Sequence, residues 1–269
     1  MRIARFVDRN GRTCVGRLRD DQTAQPLTSD LFDPVTFADE RIEIDRLLTP
    51  LDPPNIFAIG RNYRAHVEET GARLPETPLV FMKPTTSLLP SGGQIVLPES
   101  APTEVDFEAE LAIIIGTWTH RVSETQALKH VLGYTCANDV TARDCQRHDK
   151  QWTRGKGFDT FCPLGPWLVT PAELDPDNCR LRSRLNGRIV QDANTRSMIY
   201  ACAGLVSYLS HQFTLLPGTI ILTGTPEGVG FTRTPPVFLR EGDRIEVEID
   251  GIGTLANTVV RERNPSTQA

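Results

Sequence analysis

Short apolar or alternating segments bounded by glycine or proline recur along most of the chain, and this pattern is typical of β-strands. The clearest case spans 243–250, where Ile245, Val247 and Ile249 alternate with charged residues. Further strands are predicted at 78–83, 94–98, 110–116, 165–170 and 218–224. The dipeptides Asp250-Gly251 and Asn186-Gly187 predict hairpin turns between strands.

Two segments carry the hydrophobic period of a helix. Ser123 and Gln126 have the spacing of a capping box, and the helix that they predict ends at Gly133. Its apolar face consists of Ala127, Leu128, Val131 and Leu132. The second predicted helix has its apolar positions at Cys202, Leu205, Val206, Leu209 and Phe213. Few helices among many strands predict a β-rich α+β fold.

The pattern divides the chain into two units. Residues 1–50 predict a small N-terminal β-rich domain, with strand-like runs on both sides of Asn10-Gly11 and no sign of chemistry. The segment Leu51–Pro54 contains two prolines, which disfavour both a helix and a central strand, and it is interpreted as a linker. A larger domain is predicted over 55–265.

Composition and charge exclude several classes of protein. The formal net charge is -5, with 29 basic and 34 acidic residues, which argues against a nucleic-acid-binding surface. No apolar run is long enough to span a bilayer, and the N-terminus lacks the apolar stretch of a signal peptide. The six cysteines form no Cys-x-x-Cys pair, so a zinc ribbon is disfavoured. We expect a cytoplasmic protein without nucleic-acid or membrane partners.

The segment 105–115 suggests a metal site. Because strand side chains alternate between faces, Asp106, Glu108 and Glu110 share one face, and the apolar run that follows leads into the core. Carboxylates near a core need compensating charge, which a divalent cation supplies. Oxygen ligands favour Mg²⁺, Mn²⁺ or Ca²⁺ over zinc. This segment alone fits a solvated acidic face slightly better, since Glu-x-Glu is common in strands.

Further segments change this interpretation. They are 60–69 (GRNYRAHVEE), 136–146 (CANDVTARDCQ), 151–166 (QWTRGKGFDTFCPLGP) and 222–230 (LTGTPEGVG). Together these segments resemble the fumarylacetoacetate hydrolase family, in order and with matching spacing, from about residue 55 to the last predicted strand. The resemblance implies a mixed β-sandwich roll with a few short helices, usually assembled as a homodimer.

The resemblance also implies a set of site residues. The family's metal ligands correspond to Glu108, Glu110 and Asp139, which are expected to hold Mg²⁺ or Mn²⁺. Its substrate-binding residues correspond to Gln146, Lys156 and Thr225, and its catalytic His-x-x-Glu pair corresponds to His66 and Glu69. Arg61, Tyr63 and Lys83 are further candidates for substrate binding, although Lys83 equally fits a solvated strand end. Asp106 is expected to support the ligands, and Arg143 with Asp144 to form a structural pair.

These residues suggest cleavage of a carbon–carbon bond in a small 2-oxo acid, such as an acylpyruvate or fumarylpyruvate. In this hypothesis the cation and Lys156 stabilise an enolate, while His66, oriented by Glu69, deprotonates the attacking water. Two alternatives stay open: decarboxylation of a compound such as oxaloacetate, and isomerisation or hydration of an unsaturated 2-oxo diacid. A non-catalytic, metal-stabilised binding domain is a more distant alternative, because a binder needs no base.

Overall fold

The computed structural model describes residues 1–20 and 22–263, so the predicted boundary at 265 lies outside the described residues. The strands are β1 Arg2–Asp8, β2 Thr13–Leu18, β3 Thr23–Pro26, β4 Ile42–Leu47, β5 Ile56–Gly60, β6 Leu79–Lys83, β7 Leu88–Leu89, β8 Gln94–Leu97, β9 Val105–Asp106, β10 Ala109–Ile115, β11 Val131–Asn138, β12 Thr141–Ala142, β13 Cys162–Val169, β14 Arg180–Leu185, β15 Arg188–Asn194, β16 Ile220–Leu222, β17 Arg244–Ile249 and β18 Gly253–Arg261. The α-helices are α1 Arg64–Glu69, α2 Glu124–Ala127, α3 Arg143–Asp149, α4 Thr153–Lys156 and α5 Cys202–Gln212. Short 3₁₀ helices span Thr85–Ser87, Leu128–His130, Pro171–Glu173 and Thr195–Ser197.

Two large sheets carry the fold. An eleven-stranded sheet has the order β2-β3-β4-β1-β13-β11-β10-β16-β5-β6, with β7 added beside β13, and a five-stranded sheet has the order β15-β14-β17-β18-β8. The main core lies between them, where Leu111 and Ile113 of β10 join Val247 of β17, Leu255 of β18 and Leu205 of α5. The β-rich α+β fold with a sandwich-like core and few short helices is therefore confirmed.

The N-terminal strands form a small closed unit. β1 pairs with β2 and β4, and β3 joins β2 to β4, around a core that includes Phe6 and Leu18. β1 also pairs with β13 through Arg2 and Ile3, so the small unit continues the large sheet of the rest of the chain.

The two predicted hairpin turns are present, because Asn186-Gly187 joins β14 to β15 and Asp250-Gly251 joins β17 to β18. The predicted strand over 105–115 is interrupted: β9 pairs with β12 in a separate two-stranded sheet, and Phe107 and Glu108 lie between β9 and β10. None of the helices in the described ranges is long and apolar enough to cross a bilayer.

The helix predicted from Ser123 to Gly133 is wrong in its second half. α2 ends at Ala127, a single 3₁₀ turn follows, and Val131 already begins β11. The Ser123 side chain makes no capping hydrogen bond. Gly133 does not end a helix but permits the close approach of two strands, because a Cβ there would clash with the carbonyl oxygen of Val169. The second predicted helix is present as α5, with Phe213 directly after its last residue.

Candidate active site

Strand pairing brings the three predicted metal ligands together. β10 and β11 are antiparallel, with Ala109 opposite Asn138. Glu108 and Glu110 flank Ala109, and Asp139 directly follows Asn138, so all three carboxylates gather at one end of this strand pair. Each is buried, and one oxygen from each carboxylate lies within 4.8 Å of the others.

Three buried cations surround this cluster. Lys156 Nζ donates to Glu108 Oε2 at 2.7 Å and to Asp139 Oδ2 at 2.5 Å. Lys83 Nζ donates to the other oxygen of Asp139 at 2.5 Å, so Lys83 is not a solvated strand end. Arg143 lies 2.7 Å from Glu108 Oε1.

The charges of the cluster are unevenly compensated. Burial alone would raise the pKa of Glu108, but Lys156 and Arg143 outweigh burial and lower this pKa to about 2. Burial, with the neighbouring charges of Asp139 and Glu108, instead raises the pKa of Glu110 well above its ordinary value. The hydrogen bond that Glu110 receives comes from the backbone N–H of Gly224, at 2.7 Å. The positive charge of Lys156 does not offset these effects, and no Lys or Arg among the described residues forms an ion pair with Glu110.

A hard divalent cation fits this donor set. Three buried carboxylates offer oxygen atoms only, which is the chemistry that Mg²⁺ and Mn²⁺ select, and the sulfur and nitrogen ligands of structural zinc sites are absent from this cluster of described residues. A cation held by Glu108, Glu110 and Asp139 would also supply the charge that Glu110 lacks.

Lys156 is kept as a cation. Burial alone would lower its pKa, but the carboxylates of Asp139 and Glu108 outweigh burial and raise it. A protonated ammonium group can stabilise negative charge but cannot take up a proton. The site therefore assigns Lys156 an electrostatic role.

His66 and Glu69 form a hydrogen-bonded pair one helical turn apart on α1. His66 Nδ1 lies 2.7 Å from Glu69 Oε1. The other oxygen of Glu69 accepts from the Gly228 backbone N–H at 3.0 Å and from the Thr232 hydroxyl at 3.1 Å. Glu69 thus orients the imidazole and also attaches α1 to the loop that follows Thr225.

A cavity of about 300 Å³ lies against the cluster. Its lining includes five of the predicted catalytic and substrate-binding residues: Arg61, His66, Gln146, Lys156 and Thr225. The predicted substrate residues Tyr63 and Lys83 are buried but do not line this cavity. Lys83 instead holds the metal ligand Asp139, and the hydroxyl of Tyr63 is buried without a hydrogen-bond partner among the described residues.

Two lining residues are positioned to donate to a ligand. Gln146 Oε1 accepts from Arg143 at 3.1 Å, and since a guanidinium group can only donate, the amide nitrogen of Gln146 is left for a ligand. Arg61 adopts a left-handed backbone with φ of 58°, which is strained for a residue with a Cβ, and its guanidinium lies 6.0 Å from the Trp152 ring.

The expected pair of Arg143 with Asp144 is wrong. Arg143 instead bridges Asp106 and Glu108, donating to Asp106 Oδ2 at 2.9 Å. Asp144 accepts from the backbone N–H of Cys145. Burial explains why Arg143 pairs with Asp106 and Glu108 and not with Asp144. Arg143 lies inside the site, where the buried carboxylates of Asp106 and Glu108 need a positively charged partner, whereas Asp144 is only half-buried.

Comparison with known proteins identifies the family of the chain. The family model for the fumarylacetoacetate (FAA) hydrolase C-terminal domain matches residues 55–260. The chain belongs to the fumarylacetoacetate hydrolase family. A second family model, described as Rv2993c-like, N-terminal, matches residues 1–50.

Members of this family that resemble the chain include proteins named for different reactions. Protein Rv2993c of Mycobacterium tuberculosis is 42% identical over 273 residues, which cover 98% of this chain and 100% of that protein. The human mitochondrial oxaloacetate tautomerase FAHD2A is 43% identical over 82% of this chain and 71% of its own length. A crystal structure of 5-carboxymethyl-2-hydroxymuconate delta-isomerase from Mycobacterium smegmatis shares 40% identity, with a TM-score of 0.87 over 97% of this chain and 100% of that chain.

Sequence reasoning missed one residue that joins the parts of this site. Gln191, in β15, is buried and donates from Nε2 to the Thr225 hydroxyl at 2.8 Å. It lies in a strand of ordinary polar composition, 188–194, and no local pattern distinguishes it. Only the packing of the five-stranded sheet against the loop of Thr225 brings it to the site.

Proposed function

We propose that this protein is a divalent-metal-dependent isomerase or tautomerase of small 2-oxo diacids, which moves a proton through an enolate of the substrate. The observation that carries the proposal is the His66–Glu69 pair at a cavity lined by cations. The names of the human and mycobacterial relatives, a tautomerase and a delta-isomerase, support the same chemistry. Both reactions relocate a proton next to an oxo or enol group.

Substrate binding in this proposal uses the charged lining of the cavity. Glu108, Glu110 and Asp139 would hold a divalent cation, which would supply a Lewis acid for the oxygens of the 2-oxo acid. Gln146 and Thr225 would donate to the oxygens of the same end of the substrate. Arg61 also lines the cavity, and a second carboxylate on the substrate would pair with its guanidinium. Arg147, which lines the cavity too, already pairs with Glu104 at 2.6 Å.

Proton transfer is assigned to His66. Its Nδ1 is held by Glu69, and its Nε2 has no hydrogen-bond partner among the residues that the structure describes. A neutral imidazole that carries its hydrogen on Nδ1 accepts a proton at Nε2, and Glu69 then stabilises the imidazolium. His66 would take the proton from the carbon beside the oxo group and return it at the new position. Lys156, fixed as a cation, would lower the energy of the enolate between these two steps.

Hydrolytic cleavage of an acylpyruvate is the second candidate. It is favoured by the amide nitrogen of Gln146, which has no acceptor among the described residues and could donate to the oxyanion formed when water attacks a distal carbonyl. His66 would then deprotonate water instead of carbon. Decarboxylation of oxaloacetate would use the same enolate but needs neither base nor water.

The test is a substrate panel with the Mg²⁺- or Mn²⁺-loaded protein, followed by proton NMR in D₂O. We expect fast exchange of the C3 protons of oxaloacetate and double-bond migration in an unsaturated 2-oxo diacid, both abolished by a chelator and restored by the metal. Cleavage of acylpyruvate without proton exchange in the diacids would favour hydrolysis. Full activity in the chelated, metal-free protein would contradict the metal-dependent proposal.

A further inference from the structure

We propose that Gln191 is a positioning residue that fixes the Thr225 hydroxyl as a hydrogen-bond donor to the substrate. The inference rests on the proposed function, because it assigns a carboxylate oxygen of the 2-oxo acid as the acceptor. Gln191 lies in β15, outside every segment that carries the family resemblance, and its residue is only 2% exposed.

Two backbone groups fix the orientation of the Gln191 amide. The N–H of Ala109 can only donate, and it donates to Oε1 at 3.0 Å. The carbonyl of Pro226 can only accept, and it accepts from Nε2 at 3.0 Å. The Ser183 hydroxyl also donates to Oε1, at 2.9 Å. A flipped amide would lose both backbone hydrogen bonds in a buried place, so the oxygen and nitrogen cannot exchange positions.

This orientation determines the direction of the Thr225 hydroxyl. Nε2 of Gln191 lies 2.8 Å from Thr225 Oγ1 and has to be the donor in that contact. The hydroxyl therefore accepts, and its own hydrogen has no acceptor among the described residues. Thr225 lines the cavity, so the hydrogen is available to a ligand there. Without Gln191 no hydrogen bond to the described residues would fix the rotation of this hydroxyl.

The same amide also couples Thr225 to the metal site. Ala109, which donates to Gln191, lies between Glu108 and Glu110, and it begins β10. One buried side chain thus joins the strand of two carboxylate ligands to the loop that carries Thr225. This connection fixes the position of the Thr225 hydroxyl relative to the strand that carries Glu110 and follows Glu108.

The experiment measures oxalate binding to the Mg²⁺-saturated protein by calorimetry, because oxalate is a planar dianion that resembles the enolate of a 2-oxo acid. Thr225→Val and the nearly isosteric Gln191→Met should each weaken binding by roughly 10-fold or more, the usual effect of losing a hydrogen bond to a charged group. The double variant should bind no more weakly than Thr225→Val, because both changes remove the same donor. Gln212→Met, the same substitution at an exposed position at the end of α5, should bind oxalate like the wild type.

The outcomes separate the inference from the proposed function. Wild-type affinity in Thr225→Val would overturn the inference, whether or not the Gln191 variant folds. Losses that add in the double variant would also overturn it, since a purely structural role for Gln191 does not depend on the hydroxyl. If the variants lose oxalate affinity as expected but the wild type does not isomerise oxaloacetate, the inference is supported and the proposed reaction is contradicted. A wild-type protein that binds no oxalate would overturn both.

Discussion

Glu110 makes the metal site sensitive to pH. Burial and two neighbouring carboxylates raise its pKa well above the ordinary value of 4.5, so in the metal-free protein the folded state holds a proton that the unfolded chain releases. The contribution of Glu110 to the free energy of unfolding is therefore fully present below pH 4.5 and declines as the pH rises toward the raised pKa. Glu108, with a pKa of about 2, titrates below this window.

We predict that in metal-free Glu110→Gln the free energy of unfolding no longer shows this decline with rising pH, because glutamine cannot ionise. The measurement is urea unfolding of the metal-free wild type and variant between about pH 5 and 8, the usual range of maximal stability. Bound Mg²⁺ should reverse the trend for the wild type, since binding requires Glu110 to release its proton. Parallel pH dependences of the two metal-free proteins would contradict the raised pKa of Glu110.

His66 is the residue on which catalysis should depend most. Replacing it by alanine removes the proposed base but no metal ligand, so proton transfer should fall by about 10²–10⁴-fold while Mg²⁺ affinity stays unchanged. Glu69→Gln should lose less, because Glu69 orients the base without taking the proton. Decarboxylation, if the enzyme catalyses it, should survive both changes better. Steady-state kinetics on each substrate provides the measurement, with His211→Ala, an exposed histidine on α5, as the control. Wild-type isomerisation in His66→Ala would contradict this mechanism.

The sequence predicted the residues of the site better than their contacts. Two-residue alternation placed Glu108 and Glu110 on one face of a strand, but only the family resemblance favoured a metal site there over a solvated acidic face. Asp139 required the family resemblance, since it comes from another strand. Lys83 and Gln191 reach the site only through long-range pairing, and a local pattern cannot distinguish such a residue from an ordinary polar position on a strand.

Elements were predictable where a pattern persists over a whole strand or helix. The alternating segment 243–250 forms the strand β17, and the segment with the helical period forms α5, as predicted. The failure at α2 has a physical cause, because Val131 and Leu132 fit a helical period as well as a strand, and tertiary pairing of β11 with β10 and β13 decides between them. Gly133 was interpreted as a helix end, although its role is to permit contact between neighbouring strands.

This role of Gly133 gives a prediction about the central sheet. Gly133→Ala would place a methyl group against the Val169 carbonyl of the neighbouring strand, so the free energy of unfolding should fall by about 1–3 kcal/mol through overpacking. Gly204→Ala is the matched control, since a Cβ there meets its nearest atom at 3.6 Å, and alanine favours the helix α5. Urea denaturation of both variants provides the measurement. Equal stability of the two would show that β11 and β13 can separate without strain.

At the scale of the whole molecule, the assembly expected from the family resemblance stays a prediction. We expect a homodimer in solution, with twice the mass of the single chain by light scattering at micromolar concentration. A monomeric mass at that concentration would contradict the prediction.

The relation between the N-terminal unit and the rest of the chain is the remaining question at this scale. The sequence predicts two domains, but β1 pairs with β2 and β4 of the small unit and also with β13 of the larger unit. Ile3 also packs in the same cluster as Leu168 and Ile220 of the larger unit. We therefore predict a single cooperative unfolding transition.

Ile3→Ala should reduce the free energy of unfolding by about 2–5 kcal/mol, the usual range for a buried isoleucine. The reduction should appear in tryptophan fluorescence of a Trp167→Phe background, because Trp118 and Trp152 lie in the larger unit, whereas Trp167 packs against the core of the small unit. Ile42→Ala is the control, since Ile42 is only half-buried against the core of the small unit, and it should have a smaller effect. If Ile3→Ala accelerates hydrogen exchange only in β2 and leaves the tryptophan transition unchanged, the small unit unfolds independently, and the predicted cooperativity is wrong.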